Sequence, residues 1–210
     1  MINVLIADDH PLMREGLKSV VAGTDDIGVA GTASNGQEAI EKLRKGHWDV
    51  VLLDISMPGM SGLEVLKQIR SQHPDLPVLI LSVHPAEQYA VRAIRDGAAG
   101  YLDKENSVTE VVDAIRKAAA GGMYLTTAVA EQLALGVTAN ASRPSYEQLS
   151  DREYEVLCAI ASGKAQTDIA SDLSLSPKTI STYRTRILEK LQLKSTAELV
   201  HYALQRGLVD

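Results

Sequence analysis

Two adjacent aspartates, Asp8 and Asp9, follow the apolar run Val4-Leu5-Ile6-Ala7, and a third, Asp54, follows Val50-Val51-Leu52-Leu53. Ser82 ends the run Val78-Leu79-Ile80-Leu81, and Lys104 stands just past Gly100-Tyr101-Leu102. If each run is a strand of one parallel sheet, all five side chains gather at its carboxyl edge, where open α/β sheets bind ligands. Three converging carboxylates repel one another unless a hard divalent cation lies among them, and oxygen donors of this kind suit Mg2+. A hydroxyl and an ammonium beside that cation are what the oxygens of a transferred phosphoryl group require. An aspartate oxygen can itself be the nucleophile and form an acyl phosphate. Taken singly, Asp8, Asp9 and Lys104 would read as ordinary cap and salt-bridge residues. Five compatible groups on four strand ends favour the phosphoryl chemistry.

The elements that must position these groups are visible in the pattern. Short runs that are apolar at every position mean strands covered on both faces, as in a parallel sheet. Weaker runs at Val29 to Ala33 and Gly100 to Leu102 complete a set of five. Between them stand helix signals: Pro11 opens one helix, Asn35 caps another that ends at Gly46, and Gly97 follows a fourth. Ser107-Val108-Thr109-Glu110 reads as a capping box for the fifth. Five βα units predict a doubly wound α/β domain with a parallel sheet. Met57-Pro58-Gly59 to Gly62 reads as a turn that closes the loop under Asp54.

The remainder of the chain is different. Ala128 to Leu135 reads as a short helix, and Gly136 to Ser145 is a small, polar linker punctuated by Gly and Pro. Beyond it no strand signal appears. Capping boxes at Ser150-Glu153 and Ser195-Glu198, with Ser176-Pro177 as a further helix start, predict a compact all-α domain of four helices. The net charge of -6 is uneven: residues 1 to 122 hold 12 Lys+Arg against 17 Asp+Glu, and residues 123 to 210 hold 9 against 10. Within the second part, Lys178, Arg184, Arg186, Lys190 and Lys194 face the single acid Glu189 between residues 176 and 196, a local +4. At 100° per residue, Ile180, Tyr183, Ile187 and Leu191 form the core side of a helix after Ser176. Lys178, Ser181, Thr182, Thr185 and Glu189 face away, with Arg186 at the margin and Arg184 near the core face. Short hydroxyls flanked by cations suit a helix entering the DNA major groove, the hydroxyls at base edges and the cations, Lys190 included, at phosphates. Arg184 is left a phosphate contact or an internal ion pair.

Composition sets outer bounds. With 45% apolar and 23% charged residues, the chain is neither disordered, collagen-like nor a coiled coil. No uncharged apolar run approaches the roughly 18 residues of a bilayer span, and the strand-like INVLIA opening is unlike a signal segment, so a cytoplasmic protein without a membrane partner is expected. The one cysteine, Cys158, lies on an apolar helix face and reads as a buried structural thiol.

These motifs resemble a known family. DDHP at 8 to 11, LLDISMPGMSG at 52 to 62, LS at 81 to 82 and GYLDK at 100 to 104 are similar to the receiver domain of bacterial two-component response regulators, over residues 1 to 120. Leu149-Ser150-x-Arg152-Glu153-x-x-Val156-Leu157, then Gly163, Asp168-Ile169-Ala170-x-x-Leu173-x-Leu175-Ser176-Pro177-Lys178-Thr179-Ile180 and Lys190-Leu191 resemble the LuxR-type helix-turn-helix. Together they resemble the NarL/FixJ subfamily. The resemblance implies a receiver over 1–121, a linker helix and flexible linker over 122–147, and a DNA-binding domain over 148–210. It implies Asp54 as phosphoacceptor from a sensor histidine kinase, and Asp9, Asp54 and the Ser56 carbonyl as Mg2+ ligands with Asp8 acting through water. Ser82 and Lys104 would hold the phosphoryl oxygens, and Tyr101 would follow the movement of Ser82. In that family, the positions held here by Ser56 and His84, two residues after Asp54 and Ser82, influence phosphoryl lifetime. Pro177 to about Lys190 would be the recognition helix, and Ser195 to Gln205 would pair in a homodimer on promoter DNA, with RNA polymerase a further partner. A phosphatase with an Asp nucleophile would want a general acid two residues after Asp54, where Ser56 stands. A transcription factor rather than an enzyme is therefore expected.

Overall fold

The computed structural model describes residues 1–83, 86–104, 108–127, 129–131, 133 and 145–209. The chain divides into two compact units, Met1–Glu131 and Gln132–Asp210.

The first unit runs β1 (Ile2–Ala7), α1 (Pro11–Ala22), β2 (Ile27–Ala33), α2 (Gly36–Lys45), β3 (Val50–Asp54), α3 (Gly62–Gln72), β4 (Val78–Ser82), α4 (Ala86–Arg95), β5 (Gly100–Asp103) and α5 (Val108–Ala119). The strands form one sheet in the order β2-β1-β3-β4-β5, and every pairing is parallel. Alternate residues Val4, Ile6, Val50, Leu52, Leu79 and Leu81 pack with Leu17 and Val21 of α1 and Val111 and Ile115 of α5. The intervening Leu5, Val51, Leu53 and Ile80 are equally buried. That two-sided covering is why these strands are apolar at every position. β2 is an edge strand whose middle residues are partly exposed, which accounts for its weaker apolar run.

Most of the expected helix signals are found. Asn35 Oδ1 accepts the Glu38 N–H and Gly46 ends α2, Pro11 stands in the first turn of α1, and Gly97 adopts φ +101° after α4. Ser107 lies outside the described residues. A box not read from the sequence, Ser61 with Glu64, opens α3. It follows a tight loop in which a Cβ on Gly62 would stand 2.1 Å from the Asp54 carbonyl oxygen.

The second unit has a 3-10 turn (Ser145–Gln148), then α6 (Asp151–Ala161), α7 (Gln166–Asp172), α8 (Pro177–Leu191) and α9 (Thr196–Gln205). Val156, Ile169, Ile180, Ile187, Leu199 and Ala203 are buried, as is Cys158. The Ser150-Glu153 box closes in both directions, and the Ser176 hydroxyl accepts the Thr179 N–H. The Ser195 box closes only by half. Its hydroxyl accepts the Glu198 N–H, but the Glu198 carboxylate takes the Lys194 N–H instead of that of Ser195. Tyr183, expected on the core side of α8, is only half-buried. Residues 127, 129–131 and 133 are helical, while 134–144, most of the expected linker, lie outside the described residues. Among the described residues no helix is long and apolar enough to cross a membrane.

Candidate functional site

The strand order reverses between β1 and β3, and open α/β sheets bind ligands at that crevice. Asp54 ends β3, Asp8 and Asp9 follow β1 directly, and Ser82 ends β4. Lys104 follows β5, and its backbone N–H donates to the Ser82 carbonyl at 2.8 Å. The Lys104 ammonium reaches back across the edge, 2.8 Å from Asp8 Oδ2 and 2.9 Å from Asp54 Oδ2. All three side chains are nearly sealed from solvent, with Lys104 6% exposed. Asp54 Oδ1 accepts the Ser56 N–H at 3.3 Å. Asp8 is held on its other side, where Oδ1 accepts the His10 N–H at 2.8 Å and the carbonyl accepts Arg14 at 2.5 Å. His10 Nδ1 lies 2.7 Å from Asp9 Oδ1.

Burial pushes the Asp54 carboxyl up from its ordinary 3.8 to about 6, and the charge of Asp8 adds to that, while Lys104 opposes it. Burial alone would lower the Lys104 ammonium, but the two carboxylates outweigh it and hold it above its usual value. Three carboxylates face one ammonium here, a balance that invites a further cation. Apart from the ion contacts just described, Asp8 Oδ2, Asp9 Oδ1 and Asp54 Oδ2 are buried with no hydrogen-bond donor among the described residues. Ligand atoms of Asp8, Asp9, His10 and Asp54 lie within 4.8 Å of one another. The donor set is dominated by carboxylate oxygens, which fits a hard divalent cation.

Ser82 and Tyr101 are both buried, at 1% exposure each. In the β4/β5 register Ile80 pairs with Tyr101 and Ser82 with Asp103, so Tyr101 stands one register step from Ser82 on the same side of the sheet. Ser56 is half-buried beside Asp54, and His84 lies outside the described residues. The expected five groups are thus found at one edge. His10 and Arg14 were not assigned roles from the sequence. The DDHP run placed His10 next to two acids, the one signal that could have drawn attention to it.

On α8, Lys178, Thr182, Thr185, Arg186 and Lys190 are exposed and Ser181 is half-buried. The Thr182 and Thr185 hydroxyls donate to the carbonyls of Lys178 and Ser181, at 3.0 and 3.1 Å. Lys178, Thr182, Tyr183 and Arg186 line a shallow depression at the start of the helix. Arg184 turns inward and donates to Thr196 Oγ1 of α9 at 3.0 Å. The Lys190 ammonium lies 2.6 Å from Glu153 Oε2 of α6, an ion pair not foreseen from the sequence.

A five-stranded parallel unit with an acidic switch-point pocket, followed by a helix-turn-helix unit, defines a receiver joined to a DNA-binding domain. Residues 4–116 match the response regulator receiver domain, and residues 147–203 match the bacterial regulatory proteins of the luxR family. The chain belongs to the bacterial two-component response regulators, in the NarL/FixJ subfamily, which act as transcription factors rather than enzymes. It is 39% identical over 211 residues to the response regulator GacA of Pseudomonas viridiflava, spanning 100% of this chain and 99% of that one. It is 38% identical to the response regulator UvrY of Escherichia coli K12, spanning 100% and 97%. Among solved structures it is similar to RcsB of Salmonella enterica serovar Typhimurium bound to the rprA promoter with phosphomimetic BeF3-. That match has a TM-score of 0.63 at 26% identity and covers 96% of this chain and 98% of that one. RcsB has also been solved as two dimers on two parallel DNAs. A receiver domain implies a histidine kinase partner, and receivers bind Mg2+ at an acidic pocket of this kind.

Proposed function

We propose that Asp54 accepts a phosphoryl group from a histidine of a sensor kinase, and that this modification switches dimerisation and promoter binding. The observation that carries the reading is the convergence of Lys104 on Asp8 and Asp54 at the switch point. Asp54 presents one carboxylate oxygen for in-line attack, the phosphorus–nitrogen bond to the kinase histidine breaks, and an acyl phosphate forms on Asp54. Mg2+, held by Asp9, Asp54 and the Ser56 carbonyl with Asp8 through water, would neutralise charge on the carboxylates and the phosphoryl oxygens. Lys104 supplies a second cation at those oxygens, and Ser82 a hydroxyl donor. As Ser82 moves toward the new charge, Tyr101 follows it within the β4/β5 pair, and the change reaches the outer surface of the unit.

The receiver spans residues 1–121, a linker 122–147, and the DNA-binding domain 148–210. Two copies then place their α8 helices on adjacent half-sites with α9 pairing between them; that RcsB binds DNA as dimers supports the two-copy arrangement. Lys178 and Arg186 meet phosphates, and Ser181, Thr182 and Thr185 meet base edges. Lys190 is 40% exposed while tethered to Glu153, and reaches phosphate from that tether. Work on promoter DNA under a kinase-coupled receiver supports a cytoplasmic site of action, with RNA polymerase the next partner. The test is labelling with a small phosphodonor with and without Mg2+, followed by selection of bound DNA from a random pool. Labelling confined to Asp54 and dependent on Mg2+ is expected; persistent acyl phosphate in Asp54→Asn would overturn the assignment.

A further inference from the structure

We propose that His10 is a direct cation ligand in the acidic pocket, so that the site takes nitrogen-seeking divalent cations such as Co2+, Ni2+ or Zn2+ more tightly than its aspartates alone would. The inference rests on reading that pocket as a cation site. Its starting point is the way Asp8 sets the course of the chain. Asp8 is fully buried, and its Oδ1 accepts the His10 N–H at 2.8 Å, which fixes the direction in which residue 10 leaves β1.

From there the His10 ring turns back over the pocket. Nδ1 lies 2.7 Å from Asp9 Oδ1 and 3.4 Å from Asp8 Oδ1, while the side chain as a whole is 67% exposed. One ring nitrogen therefore faces carboxylates and the rest of the ring faces water. Around a six-coordinate cation with bonds of about 2.1 Å, neighbouring ligand atoms are about 3 Å apart and opposite ones about 4.2 Å. The two His10 spacings straddle the first value. Asp8, Asp9, His10 and Asp54 each offer one atom to a set no wider than 4.8 Å, close to the second. Of the buried carboxylate oxygens in this set, Asp8 Oδ2 and Asp54 Oδ2 face the Lys104 ammonium at 2.8 and 2.9 Å, so a bound cation would share them with Lys104, while Asp9 Oδ1 faces His10 Nδ1.

The consequence is selectivity. Mg2+ keeps its waters and prefers oxygen donors, so an imidazole adds little to its binding. Affinity for nitrogen donors rises along the first-row series toward Co2+, Ni2+ and beyond, so the same imidazole discriminates in their favour. Such a cation would also fasten the N-cap of α1 to the ends of β1 and β3.

The test uses the full chain, with His10→Gln and Asp9→Ala. Glutamine keeps a polar side chain of similar reach but has no imidazole. Co2+ is titrated calorimetrically alone and against excess Mg2+, and the Mn2+-loaded protein is examined by pulsed EPR for coupling to an imidazole nitrogen. The expected result is nitrogen coupling in the wild type that disappears in His10→Gln, with the preference for Co2+ over Mg2+ falling at least tenfold. Mn2+ bound at the pocket without nitrogen coupling, or an unchanged preference in His10→Gln, overturns the assignment of His10 alone. A wild type that binds no divalent cation, or binds it equally well in Asp9→Ala, overturns the cation-site reading itself, and the His10 assignment with it.

Discussion

Lys190 Nζ lies 2.6 Å from Glu153 Oε2, and the same oxygen accepts the Ser150 N–H at 2.7 Å. One buried carboxylate thus caps α6 and fastens the last turn of α8, the helix proposed to enter DNA. A cation proposed to contact phosphate thus also ties down the helix that carries it.

Lys190→Ala should therefore weaken DNA binding for all sequences and also cost about 1 to 2 kcal/mol of folding stability, because Glu153 keeps its burial and loses its partner. Burial raises the Glu153 carboxyl, but the bonds from Lys190 and Ser150 outweigh it and hold it below its ordinary 4.5. A depressed acid stabilises the fold above its unfolded value, and that contribution is lost as pH falls through the folded one. Urea denaturation of the wild type should show this loss below about pH 4.5, and Lys190→Ala should show less of it. A Lys190→Ala chain with wild-type stability would reduce Lys190 to a surface cation.

Asp54→Asn should abolish labelling and stabilise the receiver. The carboxyl rises from 3.8 to about 6 in the fold, so the folded state binds that proton more tightly than the unfolded chain does. The cost appears as pH rises from about 4 to about 6 and persists at neutral pH. Removing it is worth up to about 3 kcal/mol at pH 7 without metal, at about 1.4 kcal/mol for each tenfold change in proton affinity. Thermal melts at pH 4 and pH 7 check the sign: Asp54→Asn should gain on the wild type only at the higher pH.

Lys104→Ala should still accept phosphoryl but couple it poorly to DNA binding, since the ammonium proposed to meet the phosphoryl oxygens is gone. It also removes the group that opposes burial at Asp54, so the Asp54 carboxyl rises further. Labelling by a small phosphodonor should therefore slow more at pH 6 than at pH 8. Ser82→Ala should uncouple output without that pH shift. Wild-type labelling together with wild-type activation in either variant would refute the switch as drawn.

Gly62→Ala should be among the most damaging single changes in the receiver. Its Cβ would fall 2.1 Å from the Asp54 carbonyl and 2.8 Å from Ile55 Cα, so backbone on one side must move. A loss of about 2 to 4 kcal/mol is expected, read by denaturant melts, with labelling of Asp54 reduced in the same variant.

What could be read in advance follows from where the constraint lies. β1, β3 and β4 are legible because burial on both faces demands apolar residues at every position, and the acids are legible because they follow those runs at once. β2 was faint because an edge strand is half-wetted. The Ser61-Glu64 cap was hidden inside a segment rich in Gly, Met and Pro that signals only a turn. The Lys190-Glu153 pair joins residues 37 apart in sequence, and a helical wheel, which sees one helix at a time, can only point Lys190 outward. His10 was legible as a residue type but not as a geometry: the bond from its N–H to Asp8 Oδ1 is a local turn two residues long, but residue types alone do not say that its ring nitrogen comes within 2.7 Å of Asp9 Oδ1.

The last prediction concerns how α8 reads DNA. Thr182 and Thr185 already donate their hydroxyl protons to their own helix, so they offer a groove only acceptor lone pairs and methyl groups. Those suit a cytosine amino group or a thymine methyl, single contacts that discriminate by less than the roughly 1 to 3 kcal/mol of a bidentate pair. One such helix binds weakly, and phosphate electrostatics must supply most of the affinity. A fragment beginning at about residue 146 should therefore bind DNA without phosphodonor, with affinity falling steeply as salt rises. The full chain should gain from phosphorylation because two copies on adjacent half-sites combine their contacts. Thr182→Ala and Thr185→Ala should flatten sequence preference. Lys178→Ala and Arg186→Ala should weaken all sequences alike and each reduce the salt slope by about one. Fluorescence anisotropy of the fragment and the full chain at several salt concentrations, with and without phosphodonor, measures each effect. A fragment that fails to bind even at low salt would show that residues 177 to 190 are not a recognition helix.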